Sequence, residues 1–157
     1  MTKMKENMLS HFLYPSNLFV AKEKHMVSTI LGSCVAVCLY DEKLKYGGVN
    51  HYMLPLWNNN GLPTPRFGNI ANQKLLERMM HIGSKKSNLV AKVFGGANQM
   101  GSTIDIGGRN VEMAMLFLED EKIKILGKSV GGNLGRKIMF DTEAGTVMMK
   151  YIQKTIT

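Results

Sequence analysis

The chain has 157 residues, 45% of them hydrophobic, and 20 Lys and Arg against 12 Asp and Glu give a net charge of +8. This is the length of one domain with enough apolar content for a core. Two cysteines are too few for a disulfide scaffold, and no apolar stretch approaches the ~20 residues of a membrane span. The expectation is a soluble, cytoplasmic, basic protein without membrane insertion. Residues 1–16 are assigned to a flexible N-terminal segment and 17–157 to a single domain. The basic residues are scattered, with Lys85-Lys86 the longest run, and only 8% of residues are aromatic. No interleaving of basic and aromatic residues marks a nucleic-acid platform. A solvated basic face or an acidic protein partner fits the charge better than nucleic acid does.

In chain order, Leu18–Ala21 and Met26–Leu31 are β-prone. The apolar run Val35–Tyr40 predicts a strand, the turn-like Asp41-Glu42-Lys43 bounds it, and Tyr46–Leu54 reads as the returning strand. Residues 55–68, rich in Asn and Pro, predict a long loop of the kind that forms lids, binding loops or plain surface connections. Ile70, Leu75, Leu76, Met79, Met80 and Ile82 recur at helical spacing, with Asn69 as N-cap and Gly83 as stop. Leu89–Phe94 predicts a strand running into Gly95-Gly96. Asn110 is expected to cap a second helix with Val111, Met115, Leu116 and Leu118 on its apolar face. Ile123–Leu126 predicts a strand, and Lys137–Phe140 with Thr146–Ile152 a closing hairpin. The 13 methionines are expected mainly as core filling, as at Met79, Met80, Met113, Met115 and Met148. The Gly-rich stretches at 95–96, 107–108 and 131–135 match no phosphate loop and are read as tight turns.

The chemistry concentrates between Thr29 and Pro55. A nucleophilic thiol needs a nearby base, and Cys34 and His51 are candidates for the pair. If Val35–Tyr40 and Tyr46–Leu54 form one hairpin with Tyr40 opposite Lys45, then Cys34 lies directly opposite His51. The loop would then be Asp41 to Leu44. A one-residue slip would send the two side chains to opposite faces. Cys38 sits in mid-strand and reads as a buried, inert thiol. Cys34 follows Gly32-Ser33, where free backbone N–H groups can hold a thiolate or an oxyanion. The plainer alternatives are an inert Cys34 and a half-buried strand histidine. A metal site built on Cys34, Cys38 and His51 matches no usual zinc spacing, and no metal or cofactor is expected.

Leu31-Gly32-Ser33-Cys34-Val35-Ala36-Val37 followed by Gly47-Gly48-x-Asn50-His51-x-Met53-Leu54-Pro55 resembles the active-site region of the CheD family of chemoreceptor glutamine deamidases. The likeness continues through Arg66-Phe67-Gly68-Asn69, Ala91–Ala97, Ile106-Gly107-x-Arg109-Asn110-Val111 and Val130-Gly131-Gly132-x-x-Gly135-Arg136-Lys137. The resemblance implies an α/β (α+β) sandwich of β-sheet layers and helices, similar to the catalytic domain of the cytotoxic necrotising factor toxins. It implies Cys34 as nucleophile, His51 as base and a hydroxyl residue orienting His51, which falls on Ser28 by gapless count or on the adjacent Thr29. The implied reaction is hydrolysis of receptor glutamine side chains to glutamate through a thioester. The implied partners are methyl-accepting chemotaxis receptors and the CheY-phosphate phosphatase CheC. Two other readings stand beside it: a different thiol amidase, such as a cysteine protease, and a non-catalytic adaptor regulating CheC.

Overall fold

The computed structural model describes residues 9–152. Among these residues, nine strands and two α-helices build three layers. The strands are β1 (Leu9–Phe12), β2 (Asn17–Ala21), β3 (His25–Leu31), β4 (Val35–Asp41), β5 (Tyr46–His51), β6 (Leu89–Gly95), β7 (Lys124–Val130), β8 (Gly135–Asp141) and β9 (Val147–Ile152). The helices are α1 (Gly68–His81) and α2 (Ile106–Asp120). One sheet has the order β1-β3-β8-β9 and the other β2-β5-β4-β6-β7. The mixed α+β sandwich expected from the sequence is what the chain forms.

Strand β4 shows why the layers stack. Its Val35, Val37 and Leu39 pack against Ala71, Leu75 and Met79 of α1 and Ala114 and Leu118 of α2. Alternate residues Ala36 and Cys38 point the other way, onto Val27, Leu31, Ile138 and Phe140 of the four-stranded sheet. A strand covered on both faces reads as a continuous apolar run rather than an alternating one. Gly48 lets α1 sit close, because a Cβ there would come within 2.8 Å of Met79 Sδ.

Several expectations are corrected in detail. Of the segment expected to be flexible, residues 9–16 are built into the molecule: β1 runs parallel to β3, with His11 beside Val27, and Leu13 is 1% exposed. Residues 1–8 and 153–157 lie outside the described residues. Helix α1 starts at Gly68 with Phe67 in the cap position. Asn69 does not cap it; its Oδ1 accepts from the Trp57 N–H at 3.0 Å and ties down the preceding loop. Helix α2 starts at Ile106, where Asp105 accepts from the Gly108 N–H at 2.8 Å, so Asn110 lies inside the helix. Met79 fills the core, whereas Met80 and Met148 are exposed, as is Leu116 on α2.

Candidate active site

The β4–β5 hairpin is offset by two residues from the expected register. Tyr40 pairs with Gly47 and Cys38 with Val49. The cause is Asp41, which ends β4 and accepts from the N–H groups of Lys43 and Leu44, both at 2.9 Å. Asp41 thus pairs with Tyr46 instead of sitting in the turn. An even offset keeps every side chain on its face. Cys34 and His51 are therefore diagonal rather than directly opposite, a relation that places Cα atoms roughly 7–8 Å apart, within reach of long side chains.

Both project into the layer between the sheets. Cys34 packs on the same apolar cluster as Ala36 and Cys38, and His51 shares the face of Val49 in that cluster. On the facing sheet, Thr29 lies between Val27 and Leu31 and is 1% exposed. Its Oγ1 is 2.7 Å from His51 Nδ1 and donates to the Leu13 carbonyl, also at 2.7 Å. Ser28 faces the opposite side of β3, away from His51, and its backbone carbonyl accepts from the Leu13 N–H. Of the two hydroxyl residues, Thr29 is the one within hydrogen-bonding distance of His51.

The hydrogen-bond chain fixes the imidazole tautomer. Thr29 has one hydroxyl proton, and Leu13 O can only accept. Thr29 Oγ1 must then accept from His51 Nδ1–H, which leaves the lone pair on Nε2. That Nε2 is buried and without a hydrogen-bond partner. The His51 backbone is clamped as well: it pairs with Asn17, and its carbonyl accepts from the Ser16 N–H at 2.8 Å. Burial pushes the imidazole pKa down to about 4, so His51 is neutral at pH 7.

Cys34 is half-buried and Cys38 buried, both as free thiols. Desolvation raises the Cys34 pKa, opposed by the smaller effect of its own backbone N–H. Cys38 is raised by desolvation too, and strongly. The resting pair is thus thiol and neutral imidazole, not a preformed ion pair. The Cys34 loop is held from outside the hairpin: Gly96 N–H donates to the Cys34 carbonyl at 2.9 Å and Ala97 N–H to the Gly32 carbonyl at 3.0 Å. Gly96 adopts φ +72°, and a Cβ on it would strike Val111.

Two further groups, neither of them a candidate site residue from the sequence, frame the site. Arg136, 2% exposed, donates to the carbonyls of Gly131 at 2.9 Å and Gly95 at 3.3 Å, joining the 131–134 turn to the strand end beside Cys34. Gln99 lies against Gly32, where a Cβ would come 2.7 Å from its Oε1. The base of the 55–67 loop is pinned beside the exit from His51, with Met53 N–H donating to the Arg66 carbonyl at 2.9 Å. Among the described residues no group of three His, Cys, Asp or Glu side chains is placed to hold a metal. No helix among them is long and apolar enough to cross a membrane.

Comparison with known proteins bears on this arrangement. A family model described as CheD chemotactic sensory transduction matches residues 53–151. The probable chemoreceptor glutamine deamidase CheD of Sulfurimonas denitrificans is 46% identical over 148 residues, covering 92% of this chain and 95% of that protein. The protein of the same description from Trichlorobacter lovleyi is 48% identical over 142 residues, covering 88% of each. Among solved structures, the hypothetical protein YfiH of Bacillus licheniformis is similar with a TM-score of 0.49 at 12% identity, over 72% of this chain and 50% of that one. The extent and identity of the matches to these relatives show that the chain belongs to the CheD family.

Proposed function

We propose that the protein deamidates glutamine side chains of chemotaxis receptors, with Cys34 as nucleophile, His51 as general base and acid, and Thr29 orienting His51. The observation that carries the reading is the Thr29–His51 hydrogen bond, which holds the imidazole by Nδ1 and leaves a buried, unprotonated Nε2 on the strand face that Cys34 shares. The names of the relatives supply the substrate class.

The raised Cys34 pKa favours proton transfer concerted with attack over a standing thiolate. His51 Nε2 takes the thiol proton as Sγ bonds to the glutamine δ-carbon. The carbonyl oxygen becomes an oxyanion, to which the backbone N–H groups of Ser33 and Cys34 donate. The imidazolium returns its proton to the nitrogen, the C–N bond breaks and ammonia leaves. A water molecule then gives a proton to His51 and attacks the thioester. Collapse releases glutamate and restores the Cys34 thiol. No metal or organic cofactor enters the balance.

The net charge of +8 suits an acidic receptor surface and would steer encounter more strongly at low salt. The phosphatase CheC remains the second partner that the family implies, and its binding would compete with the receptor.

The test is incubation with a receptor cytoplasmic domain, following ammonia and mapping peptide masses. Wild type converts Gln to Glu at defined sites, and Cys34→Ala and His51→Ala do not. Undiminished conversion by Cys34→Ala refutes the mechanism. Backbone cleavage would identify a protease, and tight partner binding without chemistry an adaptor.

A further inference from the structure

Asn110 is 0% exposed, inside the second turn of α2. Its Nδ2 donates to the Ser33 carbonyl at 2.9 Å and to the Met53 carbonyl at 3.0 Å. Both neighbours only accept, so the amide orientation is forced: the NH2 faces the two carbonyls and Oδ1 faces away. Oδ1 is buried without a hydrogen-bond partner. An unmet buried acceptor is unfavourable, so stability alone does not account for an amide here.

The location of the two carbonyls explains it. Ser33 immediately precedes Cys34, and Met53 follows His51 by two residues. The last rung joining these segments is the Val35–Tyr52 bridge. Beyond it no ladder fixes one segment against the other, and the Asn110 amide takes over at that point. The helix that carries Asn110 is itself fixed. The Tyr52 hydroxyl donates to the Asn110 carbonyl, and a Cβ at Gly107 would come 2.4 Å from the Gly96 and Ala97 carbonyls.

We propose that Asn110 is the positioning residue that sets the spacing between Cys34 and His51, by clamping the Ser33 and Met53 carbonyls with one side-chain amide. It touches neither substrate nor reacting atoms. The inference rests on the deamidase reading for its catalytic readout, but the thiol readout below is independent of any receptor.

Three variants test it. Asn110→Asp is isosteric and turns oxygens toward both carbonyls; Asn110→Ala removes the clamp. Leu118→Ala, buried on the same helix, lowers stability through the core without touching either carbonyl. Each is assayed for kcat and KM on a receptor fragment and for iodoacetamide labelling of Cys34, corrected for the folded fraction. Both Asn110 variants are expected to lose about 10- to 100-fold in kcat with KM within about twofold. Leu118→Ala keeps the wild-type kcat per folded molecule. In the labelling arm, His51→Gln slows Cys34 modification in the wild-type background and has no effect in Asn110→Asp. Equal kcat per folded molecule in all three variants overturns the proposal. If wild type releases no ammonia, the deamidase reading fails and labelling decides alone. His51 dependence that is absent from wild type, or retained in Asn110→Asp, then overturns the clamp.

Discussion

Replacing Thr29 by valine keeps the shape of the side chain and removes its hydroxyl. Two 2.7 Å hydrogen bonds disappear, one to the Leu13 carbonyl and one from His51 Nδ1. Both abandoned groups sit in a buried layer, and a buried group left unpaired costs about 1–3 kcal/mol. The fold is therefore expected to lose about 2–6 kcal/mol. The catalytic loss has a separate origin. Without its acceptor, Nδ1 no longer secures the proton, and each 1.4 kcal/mol of lost tautomer preference is about tenfold in the competent fraction. Loss of ring orientation adds to this, so kcat should fall about 10- to 100-fold. The assay is ammonia release from a receptor fragment at a temperature where the melting curve shows both proteins folded. Thr29→Ser, which retains the hydroxyl, should recover most of the rate. Ser28→Ala should match wild type, because Ser28 faces away from His51. A Thr29→Val enzyme at the wild-type kcat, or an inactive but folded Ser28→Ala, would refute the orienting role.

The buried His51 also makes stability depend on pH. Its pKa is about 4 in the folded chain and about 6.5 when unfolded, so between those values the unfolded chain binds the extra proton. Stability is unaffected above about pH 7, falls as pH drops through 6.5 and levels off below 4, a loss of about 3 kcal/mol relative to His51→Gln. Denaturant melts of the two proteins at pH 7 and pH 4 measure it, and parallel pH curves would contradict the burial argument. For the thiols, limiting iodoacetamide should modify Cys34 well before Cys38, which is 2% exposed. With its pKa raised, Cys34 labelling should still be climbing at pH 9; a plateau near pH 6 would indicate a preformed ion pair instead.

What the sequence could and could not show follows from the range of each interaction. The strands were legible because apolar runs and turn residues are local. The facing of Cys34 and His51 was legible as well, although the register was not: alternation fixes parity, and the two-residue offset set by Asp41 leaves parity intact. Choosing between Ser28 and Thr29 required knowing which face of β3 meets the second sheet. Both faces of β3 carry apolar neighbours, Met26 and Ile30 on one and Val27 and Leu31 on the other, so the pattern is silent. Gly107-Gly108 hid the start of α2, since glycine is a poor helix former; Gly107 is required by the close approach of Gly96 and Gly108 by the capping Asp105 side chain. The clamp by Asn110 spans 77 residues to Ser33, and no local pattern announces it. The strand Leu9–Phe12 is too short and too polar to stand out from a tail.

The residue that follows that short strand carries a chemical consequence. Leu13 O is the acceptor that obliges Thr29 to receive, rather than give, a hydrogen bond at His51. A chain cut back to residue 17 would keep Cys34, His51 and Thr29, yet its Thr29 hydroxyl would be free to swing round and donate to Nδ1. The proton would then reside on Nε2, and the nitrogen required to act as a base would already be protonated. The leading edge of the polypeptide thus works as a tautomer selector. The same cut removes the buried Leu13 side chain, so such a form would be less stable as well as carrying its imidazole proton on the wrong nitrogen.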